Sequence, residues 1–229
     1  MEKECVLFFV KWPEKGKVKT RLAREIGSDH AVNLYRCFIL DLAETLKKLP
    51  QDVILCYSPT DAEPLFRSWL GDRFQYLPQP DGDLGMRMKK SFVQAFENGY
   101  KRAVLIGSDC PDLPEATLKQ AFTELEKTEA VIGPAVDGGY WLIGFQSPSF
   151  YAPVFEGISW STETVFTETM KKFSQRKINV AVLPKWMDID TMANLREWHE
   201  RYKPSFGCAF HTGSYMKNLT TGQKLFQIA

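Results

Sequence analysis

Short apolar runs alternate with longer amphipathic stretches along most of the chain. The run at 5–11 is continuously apolar and rich in β-forming residues, which is typical of a central strand buried on both faces. Further short runs of this kind predict strands at 53–57, 74–77, 103–106, 130–132, 140–145 and 180–183. The pattern therefore predicts a sheet of about seven strands.

Between these strands, apolar residues recur at gaps of three and four. The clearest stripe runs from Val32 to Leu49, and others predict helices at 61–70, 84–96, 118–125, 162–173 and 191–202. Strands that alternate with helices pair in parallel through crossover connections. We therefore expect an open, mostly parallel sheet whose binding site lies in the loops beyond the carboxyl ends of its strands.

Periodicity is lost after Pro204. The 229 residues suit one α/β domain, so we predict a domain over 1–203 and a C-terminal tail over 204–229. The tail is expected to pack on this domain or on a partner subunit. Its apolar end at 225–228 is a candidate homodimer contact.

Composition excludes several classes of protein. With 44% hydrophobic residues, 25% charged residues and a formal net charge of +1, the chain resembles an ordinary globular protein and not one that coats nucleic acid. The five cysteines have no zinc-type spacing and are expected to be reduced thiols in a cytoplasmic protein. The longest apolar run is too short to span a bilayer, so no membrane is expected as a partner. The net charge near zero likewise gives no reason to expect a nucleic acid as a partner.

Positive charge is concentrated in the loop after the first strand. This loop contains Lys11, Gly16, Lys17, Lys19 and Arg21. Lysine and arginine neutralise phosphate oxygens, and glycine lets the backbone approach a ligand closely. A solvated basic loop is the alternative, but the position after a central strand favours a phosphate site. Neither a Walker P-loop nor a Rossmann glycine fingerprint is present.

Carboxylates follow two predicted strands. Asp109 comes directly after the strand at 103–106, where it can hold Mg²⁺ or Mn²⁺ against phosphates or serve as a turn or capping residue. Asp188 and Asp190 follow the strand at 180–183, and alternation points both to the same side. Asp190 is also a candidate cap for the helix that begins at Thr191. These three residues are the predicted metal ligands.

Two glycine-containing segments are candidate substrate contacts. Asp137, Gly138 and Gly139 can form a hairpin turn, and they can also bring the backbone and a carboxylate close to an acceptor or a sugar. These two interpretations are compatible. A weaker candidate includes Gln79 and Gly82, whose segment can shape a base or sugar pocket.

Four segments together carry a family resemblance. The segments VKTRL at 18–22, GSDCPDL at 107–113, GPAVDGGYWLIG at 133–144 and DIDT at 188–191 resemble the radical-SAM/selenodomain-associated transferases of the glycosyltransferase-A, or nucleotide-diphospho-sugar transferase, superfamily. The VKTRL loop and the Asp-Gly-Gly segment are also similar to phospholactate guanylyltransferases. The resemblance implies a Rossmann-like, three-layer α/β/α glycosyltransferase-A fold with a mostly parallel sheet. It also implies a divalent metal, and it makes 1–203 a nucleotide-binding transferase domain.

The combined hypothesis is a metal-dependent transferase with a nucleotide-sugar or nucleoside triphosphate donor. Lys19 and Arg21 would hold phosphates, Asp109 with Asp188 or Asp190 would hold the metal, and a small-molecule acceptor would bind near Asp137. One alternative is a nucleotidyltransferase that moves a nucleoside monophosphate to a phosphorylated acceptor. Another is a nucleotide-binding accessory protein without catalytic activity, because a fold alone does not guarantee chemistry.

Overall fold

The computed structural model describes residues 2–202 and 208–222. Within these ranges seven strands form one sheet and eight α-helices flank it. The strands are β1 Glu4–Lys11, β2 Asp52–Ser58, β3 Gln75–Pro78, β4 Arg102–Ile106, β5 Ala130–Pro134, β6 Tyr140–Gln146 and β7 Val180–Val182. The helices are α1 Thr20–Ile26, α2 Ser28–Leu46, α3 Glu63–Leu70, α4 Leu84–Glu97, α5 Glu115–Glu124, α6 Val165–Arg176, α7 Met192–Arg201 and α8 Phe210–Gly222.

The sheet is mixed but mostly parallel, with the strand order β3-β2-β1-β4-β6-β5-β7. Strand β6 runs antiparallel to β4 and β5, and all other neighbours are parallel. The predicted α/β fold class is therefore confirmed. One edge of the sheet gathers the carboxyl ends of the parallel strands and the amino end of β6, and functional loops are expected at this edge.

Strand β1 lies at the centre of a three-layer core. Its residues Val6, Phe8 and Val10 are buried against one layer, which includes α1, α2, α3, α5, α7 and α8. The alternate residues Leu7 and Phe9 are buried against the opposite layer, which includes α4 and α6. Because side chains alternate along a strand, a strand covered on both faces must be apolar throughout. This packing accounts for the continuous apolar run.

Helix α1 lies where sequence analysis placed only a basic loop. In this seven-residue helix only Leu22 and Ile26 are buried, so its apolar period is too short to recognise. It begins after Lys19, whose backbone is left-handed with φ of 46°. The consequence is that Arg21 lies in the first turn of a helix that faces the carboxyl edge of the sheet.

Helix α8 lies in the segment that was predicted to be an irregular tail. It packs on α2, and the buried Asp41 carboxylate accepts hydrogen bonds from the backbone N–H groups of His211 (2.7 Å) and Thr212 (2.9 Å). Since this capping carboxylate comes from a distant helix, local sequence does not reveal it. The dimer contact predicted at 225–228 lies outside the described residues, and the division of the chain at residue 203 stays a prediction.

Two further features concern the environment of the protein. In the described part of the chain, no helix combines the length and the apolar character needed to cross a bilayer. All five cysteines are free thiols, and Cys5, Cys56 and Cys110 are buried.

Candidate active site

A cavity of about 740 Å³ opens at the carboxyl edge of the sheet. We call it the first cavity. Four of its basic side chains come from separate places: Lys11 from the end of β1, Lys17 from the following turn, Arg21 from α1 and Arg87 from α4. Of the predicted site residues, it is lined by Lys11, Lys17, Lys19, Arg21, Gln79, Gly82, Asp109 and Asp190. Such a concentration of cations suits a polyphosphate.

A second cavity of about 340 Å³ adjoins the first. The two share Arg21, Asp109 and Asp190 in their walls, so they form one continuous cleft. The second cavity is also lined by Asp137, Gly139, Asp188, Tyr140, Trp141 and Trp160. Asp137, Asp188 and Trp160 line only the second cavity, whereas the lysines line only the first.

Lys19 connects two of the carboxylates. Its Nζ lies 2.7 Å from Asp109 Oδ1 and 2.6 Å from Asp190 Oδ1, and it donates a hydrogen bond to the Ile189 carbonyl at 2.7 Å. The side chain is only 3% exposed. Burial opposes its charge, but Asp109 and Asp190 outweigh burial and raise the pKa of Lys19. The ammonium is directed at carboxylates and not, as sequence analysis predicted, free to hold phosphates.

Asp109 and the 188–190 segment are also joined through their backbones. The Ile189 N–H donates a hydrogen bond to the Asp109 carbonyl at 2.9 Å. Burial raises the pKa of the Asp109 carboxyl; Lys19 opposes this shift, and the Asp190 carboxylate adds to it. Asp190 does not cap α7, because Thr191 does so through a capping box with Asn194. The capping alternative for Asp190 is therefore wrong.

Asp188 is the least compensated acid in the cleft. Its carboxylate accepts no hydrogen bond from another residue of the described chain, whereas Lys19 contacts both Asp109 and Asp190. Burial, followed by the negative charges of Asp137 and Asp190, raises the pKa of Asp188 to about 6. Carboxylate oxygens are the donors that Mg²⁺ and Mn²⁺ prefer, so the residue types fit such an ion. However, no group of three or more acidic, His or Cys side chains among the described residues is already arranged as a metal site.

The Asp-Gly-Gly segment forms the turn between β5 and β6. The Ala135 N–H donates to the Gly139 carbonyl at 2.9 Å, and Asp137 Oδ1 accepts a hydrogen bond from the Gly139 N–H at 2.8 Å. The segment is thus a hairpin turn, and it also contributes Asp137 and Gly139 to the second cavity. Gly138 does not line either cavity. Its φ is +91°, and a Cβ there would lie 2.1 Å from the Glu163 carbonyl oxygen, so glycine is required for close packing.

Gly16 also lies outside the cavity walls. It has φ of +76° in a turn where the Lys17 N–H donates to the Glu14 carbonyl at 3.1 Å. This turn brings Lys17 to the first cavity, and a Cβ on Gly16 would meet no atom within 4 Å. The structure therefore gives Gly16 a conformational role and places no ligand surface on it.

Gln79 is fixed in one orientation. Its Nε2 donates to the Val10 carbonyl at 3.1 Å and to the Cys56 carbonyl at 2.8 Å. Because two carbonyl oxygens must face the nitrogen, the amide oxygen Oε1 has to point the other way. Oε1 accepts no hydrogen bond within the described chain, although Gln79 is only 9% exposed and lines the first cavity. It is a pre-oriented hydrogen-bond acceptor.

Gly82 shapes the start of α4. Its φ is +129°, and a Cβ there would lie 2.8 Å from the Met86 side chain. Asp83 caps the helix by accepting a hydrogen bond from the Met86 N–H, while Arg87 Nε donates to the Gly82 carbonyl. This turn presents Arg87 to the first cavity.

Tyr35 joins the two central strands beneath the first cavity. Its hydroxyl accepts a hydrogen bond from the Lys11 N–H at 3.0 Å and lies 2.8 Å from Ser108 Oγ. Burial, with the negative charge of Asp109, raises the pKa of Tyr35 to about 12, so the hydroxyl stays neutral. It holds the ends of β1 and β4 in register.

The 160–162 segment belongs to the site although its sequence was not predicted to do so. We expected a helix from residue 162, but α6 begins at Val165, and Trp160, Ser161 and Thr162 line the second cavity. Thr162 Oγ1 donates to the Ser159 carbonyl at 2.6 Å, which stabilises a loop in place of a helical turn. The cluster of Ser and Thr around a tryptophan was the available signal for this loop.

Comparison with known proteins assigns the chain to a family. The family model described as "Uncharacterized protein conserved in bacteria (DUF2064)" matches residues 41–162, which is more than half of the chain. The chain belongs to this family. A similar solved structure is a protein from Desulfovibrio desulfuricans G20 with a provisional assignment as a nucleotide-diphospho-sugar transferase. It is 41% identical, the match covers 96% of each chain, and the TM-score is 0.91. A search of curated proteins found no match.

More distant structures share the fold of this DUF2064 protein. 4-Diphosphocytidyl-2C-methyl-D-erythritol synthase from Anaerococcus prevotii DSM 20548 is 12% identical, with a TM-score of 0.56 and coverage of 94% of this chain and 99% of that chain. Rv0371c from Mycobacterium tuberculosis H37Rv, solved in complex with manganese, is 17% identical, with a TM-score of 0.52 and coverage of 88% and 100%. The predicted membership of the glycosyltransferase-A-like superfamily is confirmed, while the association with radical-SAM and selenodomain proteins stays a prediction.

Proposed function

We propose that this DUF2064 protein is a metal-dependent transferase with a nucleotide-activated donor, and that a nucleotide sugar is the first candidate. The observation that carries this proposal is the continuous cleft, in which a basic cavity and an acidic cavity meet at Arg21 and Asp109. The Desulfovibrio relative, provisionally assigned as a nucleotide-diphospho-sugar transferase, supports the same class of donor.

The donor nucleotide would occupy the first cavity. Its phosphates would contact Lys17, Arg21 and Arg87, which line the wall without a carboxylate partner in an ion pair within the described chain. The base would lie near Gln79, whose fixed Oε1 selects a base edge with an N–H donor. Substitution of Gln79 should therefore change the preference among nucleotides more than it changes affinity for the phosphates.

Asp109, with Asp188 or Asp190, would hold a divalent ion. Bound there, Mg²⁺ or Mn²⁺ would supply positive charge that stabilises a leaving diphosphate. Lys19 would keep Asp109 and Asp190 next to each other, and Asp188 would offer a carboxylate that no other described residue engages by a hydrogen bond. The manganese in Rv0371c is compatible with this assignment, although that protein shows the fold alone.

In sugar transfer, an acceptor hydroxyl attacks the anomeric carbon as the bond from that carbon to the diphosphate oxygen breaks. The nucleoside diphosphate takes the bonding electrons, and Arg21 stabilises the charge that develops on it. The hydroxyl proton passes to a neighbouring carboxylate, Asp137 or Asp188. The raised pKa of Asp188 suits it to receive this proton.

Nucleotidyl transfer is the second candidate, because the number of cations in the first cavity also suits a triphosphate. In that reaction an acceptor phosphate oxygen attacks the α-phosphorus, the bond to the β-phosphate oxygen breaks, and pyrophosphate leaves. The two reactions release different products from different donors.

The deciding experiment measures those products. The purified protein with Mn²⁺ or Mg²⁺ is incubated with a panel of nucleotide sugars and nucleoside triphosphates and a pool of small acceptors. Release of nucleoside diphosphate supports sugar transfer, while release of pyrophosphate supports nucleotidyl transfer. Tight nucleotide binding without turnover and without metal dependence would support the accessory-protein alternative.

Arg21→Ala is the matched test of the site. We expect an increase in the KM for the donor of about 10- to 100-fold, because a charge-assisted contact to phosphate is lost. Arg24→Ala is the control, since Arg24 is an exposed residue of the same helix that lines neither cavity. Equal KM values for the two variants would remove Arg21 from the donor site.

A further inference from the structure

The second cavity has an unusual balance of charge. Among the described residues that line it, four carboxylates, Asp109, Asp137, Asp188 and Asp190, face a single cation, Arg21. Lys19 contacts two of these acids but does not line this cavity. The first cavity shows the opposite balance, since lysines and arginines predominate in its wall.

The contacts of the four acids show how much negative charge remains for a ligand. Lys19 engages Oδ1 of Asp109 and Oδ1 of Asp190, and the Gly139 N–H engages Oδ1 of Asp137. Asp188 has no donor from another described residue. The Oδ2 atoms of the first three acids, and the Asp188 carboxylate that only its own backbone N–H engages, are therefore available as hydrogen-bond acceptors. Hydroxyl and ammonium groups can satisfy them, but an anionic group cannot.

The remaining wall is shaped for a flat or cyclic group. The rings of Tyr140 and Trp160 meet edge to face with centroids 6.4 Å apart. Gly107 lies between the cavities, and a Cβ at that position would meet no atom within 4 Å. Apolar ring faces beside directed acceptors are typical of small-molecule pockets that bind an amphipathic ligand.

We infer that the second cavity receives the ring attached to the donor diphosphate, and that it selects an uncharged or positively charged hydroxyl-bearing ring against an anionic one. This inference rests on the proposed function. One divalent ion, Arg21 and Lys19 together carry four positive charges, which balance the four carboxylates, and the donor phosphates then make the site net negative. A carboxylate or phosphate on the ring would then meet like charge at short range, which reduces affinity.

The test uses three ligands that share one nucleotide: UDP-glucose, UDP-glucosamine and UDP-glucuronate, with Mn²⁺, measured by calorimetry at pH 7.5. If the nucleotide panel favours another base, the same three sugars are tested on a nucleoside diphosphate with that base in place of uracil. We expect UDP-glucuronate to bind at least about 10-fold more weakly than UDP-glucose, and UDP-glucosamine to bind at least as tightly as UDP-glucose. Equal or tighter binding of UDP-glucuronate overturns the inference.

Asp137→Asn tests the cause of the selection. Removing one negative charge while keeping the shape should reduce the glucuronate penalty, measured as the ratio of the two Kd values, several-fold. Asp112→Asn is the control, because Asp112 Oδ1 accepts a hydrogen bond from Trp186 and the residue lines neither cavity. An unchanged penalty in Asp137→Asn, or an equal reduction in Asp112→Asn, contradicts the electrostatic explanation.

Additional binding measurements distinguish a failure of this inference from a failure of the proposed function. If UDP and the other nucleoside diphosphates fail to bind, the proposed function fails. If they bind but no attached sugar changes the affinity, the nucleotide site stands and the inference fails. The same three rings are also offered free, together with the nucleoside diphosphate. A preference seen only with free rings would assign the second cavity to the acceptor and overturn the assignment to the donor ring.

Discussion

Two cations, the buried Lys19 and the half-buried Arg102, lie at opposite ends of the central strands, and each contacts two carboxylates. At the carboxyl edge, Lys19 lies between Asp109 and Asp190. At the amino edge, Arg102 at the start of β4 lies 2.5 Å from Glu4 and 3.2 Å from Glu2. The immediate pairs are similar, but their surroundings differ.

Around Arg102 the carboxylates have partners within the protein, although Gln51 Oε1 is buried without a hydrogen-bond partner in the described chain. The second carboxylate oxygen of Glu4 accepts a hydrogen bond from Gln51 at 2.9 Å, and Asp52 accepts one from Tyr100 at 2.8 Å. Around Lys19, Asp137 and Asp188 add negative charge, and Arg21 is the only cation among the described residues that line the second cavity. Carboxylates whose charge is not balanced by protein cations indicate a ligand site, whereas carboxylates paired within the fold have a structural role.

The largest effect should come from Asp109→Asn. This change removes a predicted metal ligand at the centre of the cleft, so we expect metal-dependent turnover to fall by at least about 100-fold. Steady-state kinetics over a Mn²⁺ titration measures it. Asp112→Asn is the control and should retain turnover, because asparagine can still accept the hydrogen bond from Trp186. Equal turnover in Asp109→Asn and the wild type would exclude Asp109 from catalysis.

Lys19→Met should have the next largest effect. Without the ammonium, Asp109 and Asp190 repel each other. We therefore expect the free energy of unfolding to fall by about 2–3 kcal/mol. This loss is smaller than the usual cost of breaking a buried ion pair because both acids are partly exposed. Turnover should fall about 10-fold or more as the acids separate. Urea denaturation with and without Mn²⁺ provides the check, since a divalent ion should restore part of the stability. A deficit that Mn²⁺ leaves unchanged would argue against an ion site at these carboxylates.

Asp188→Asn should change the pH dependence of stability. The pKa of Asp188 is about 6 in the folded chain and 3.8 as its ordinary value, so the folded chain retains a proton that the unfolded chain has lost between these values. The contribution of Asp188 to stability is therefore full below about pH 4 and is lost as the pH rises through about 6. In metal-free buffer, the variant should exceed the wild type in stability by about 1–2 kcal/mol at pH 7, after allowance for partial exposure, with a smaller difference at pH 4. Urea denaturation across this range would reveal a pH-independent difference if the interpretation is incorrect.

The smallest effect on activity should come from Arg102→Met at the amino edge. We expect a loss of about 1–2 kcal/mol in the free energy of unfolding, because the change leaves Glu4 without its cation. Turnover should stay within about twofold of the wild type, since Arg102 lines neither cavity. Denaturation and steady-state kinetics on the same preparation measure both quantities. A large loss of turnover at unchanged stability would contradict the contrast between the two edges.

Much of the fold could be predicted because it depends on local periodicity. The alternation of apolar runs and amphipathic stripes located all seven strands and six of the eight helices in the described chain. Helices α1 and α8 were missed, since the first is short and the second depends on a cap from Asp41. Strand ends also indicated where chemistry would lie, because the parallel strands of the sheet place their carboxyl ends at one edge.

The sequence by itself thus determined the sheet, its functional edge and the acidic and basic residue types that meet there. Only the tertiary structure decided which of these side chains contact one another. It pairs Lys19 with Asp190 across 171 residues, gives Asp188 no donor from another described residue, and leaves Gly16 and Gly138 out of the cavity walls. Residue type and period set which groups reach an edge, but contacts between distant segments depend on how the helices and loops pack, and local sequence does not encode that packing.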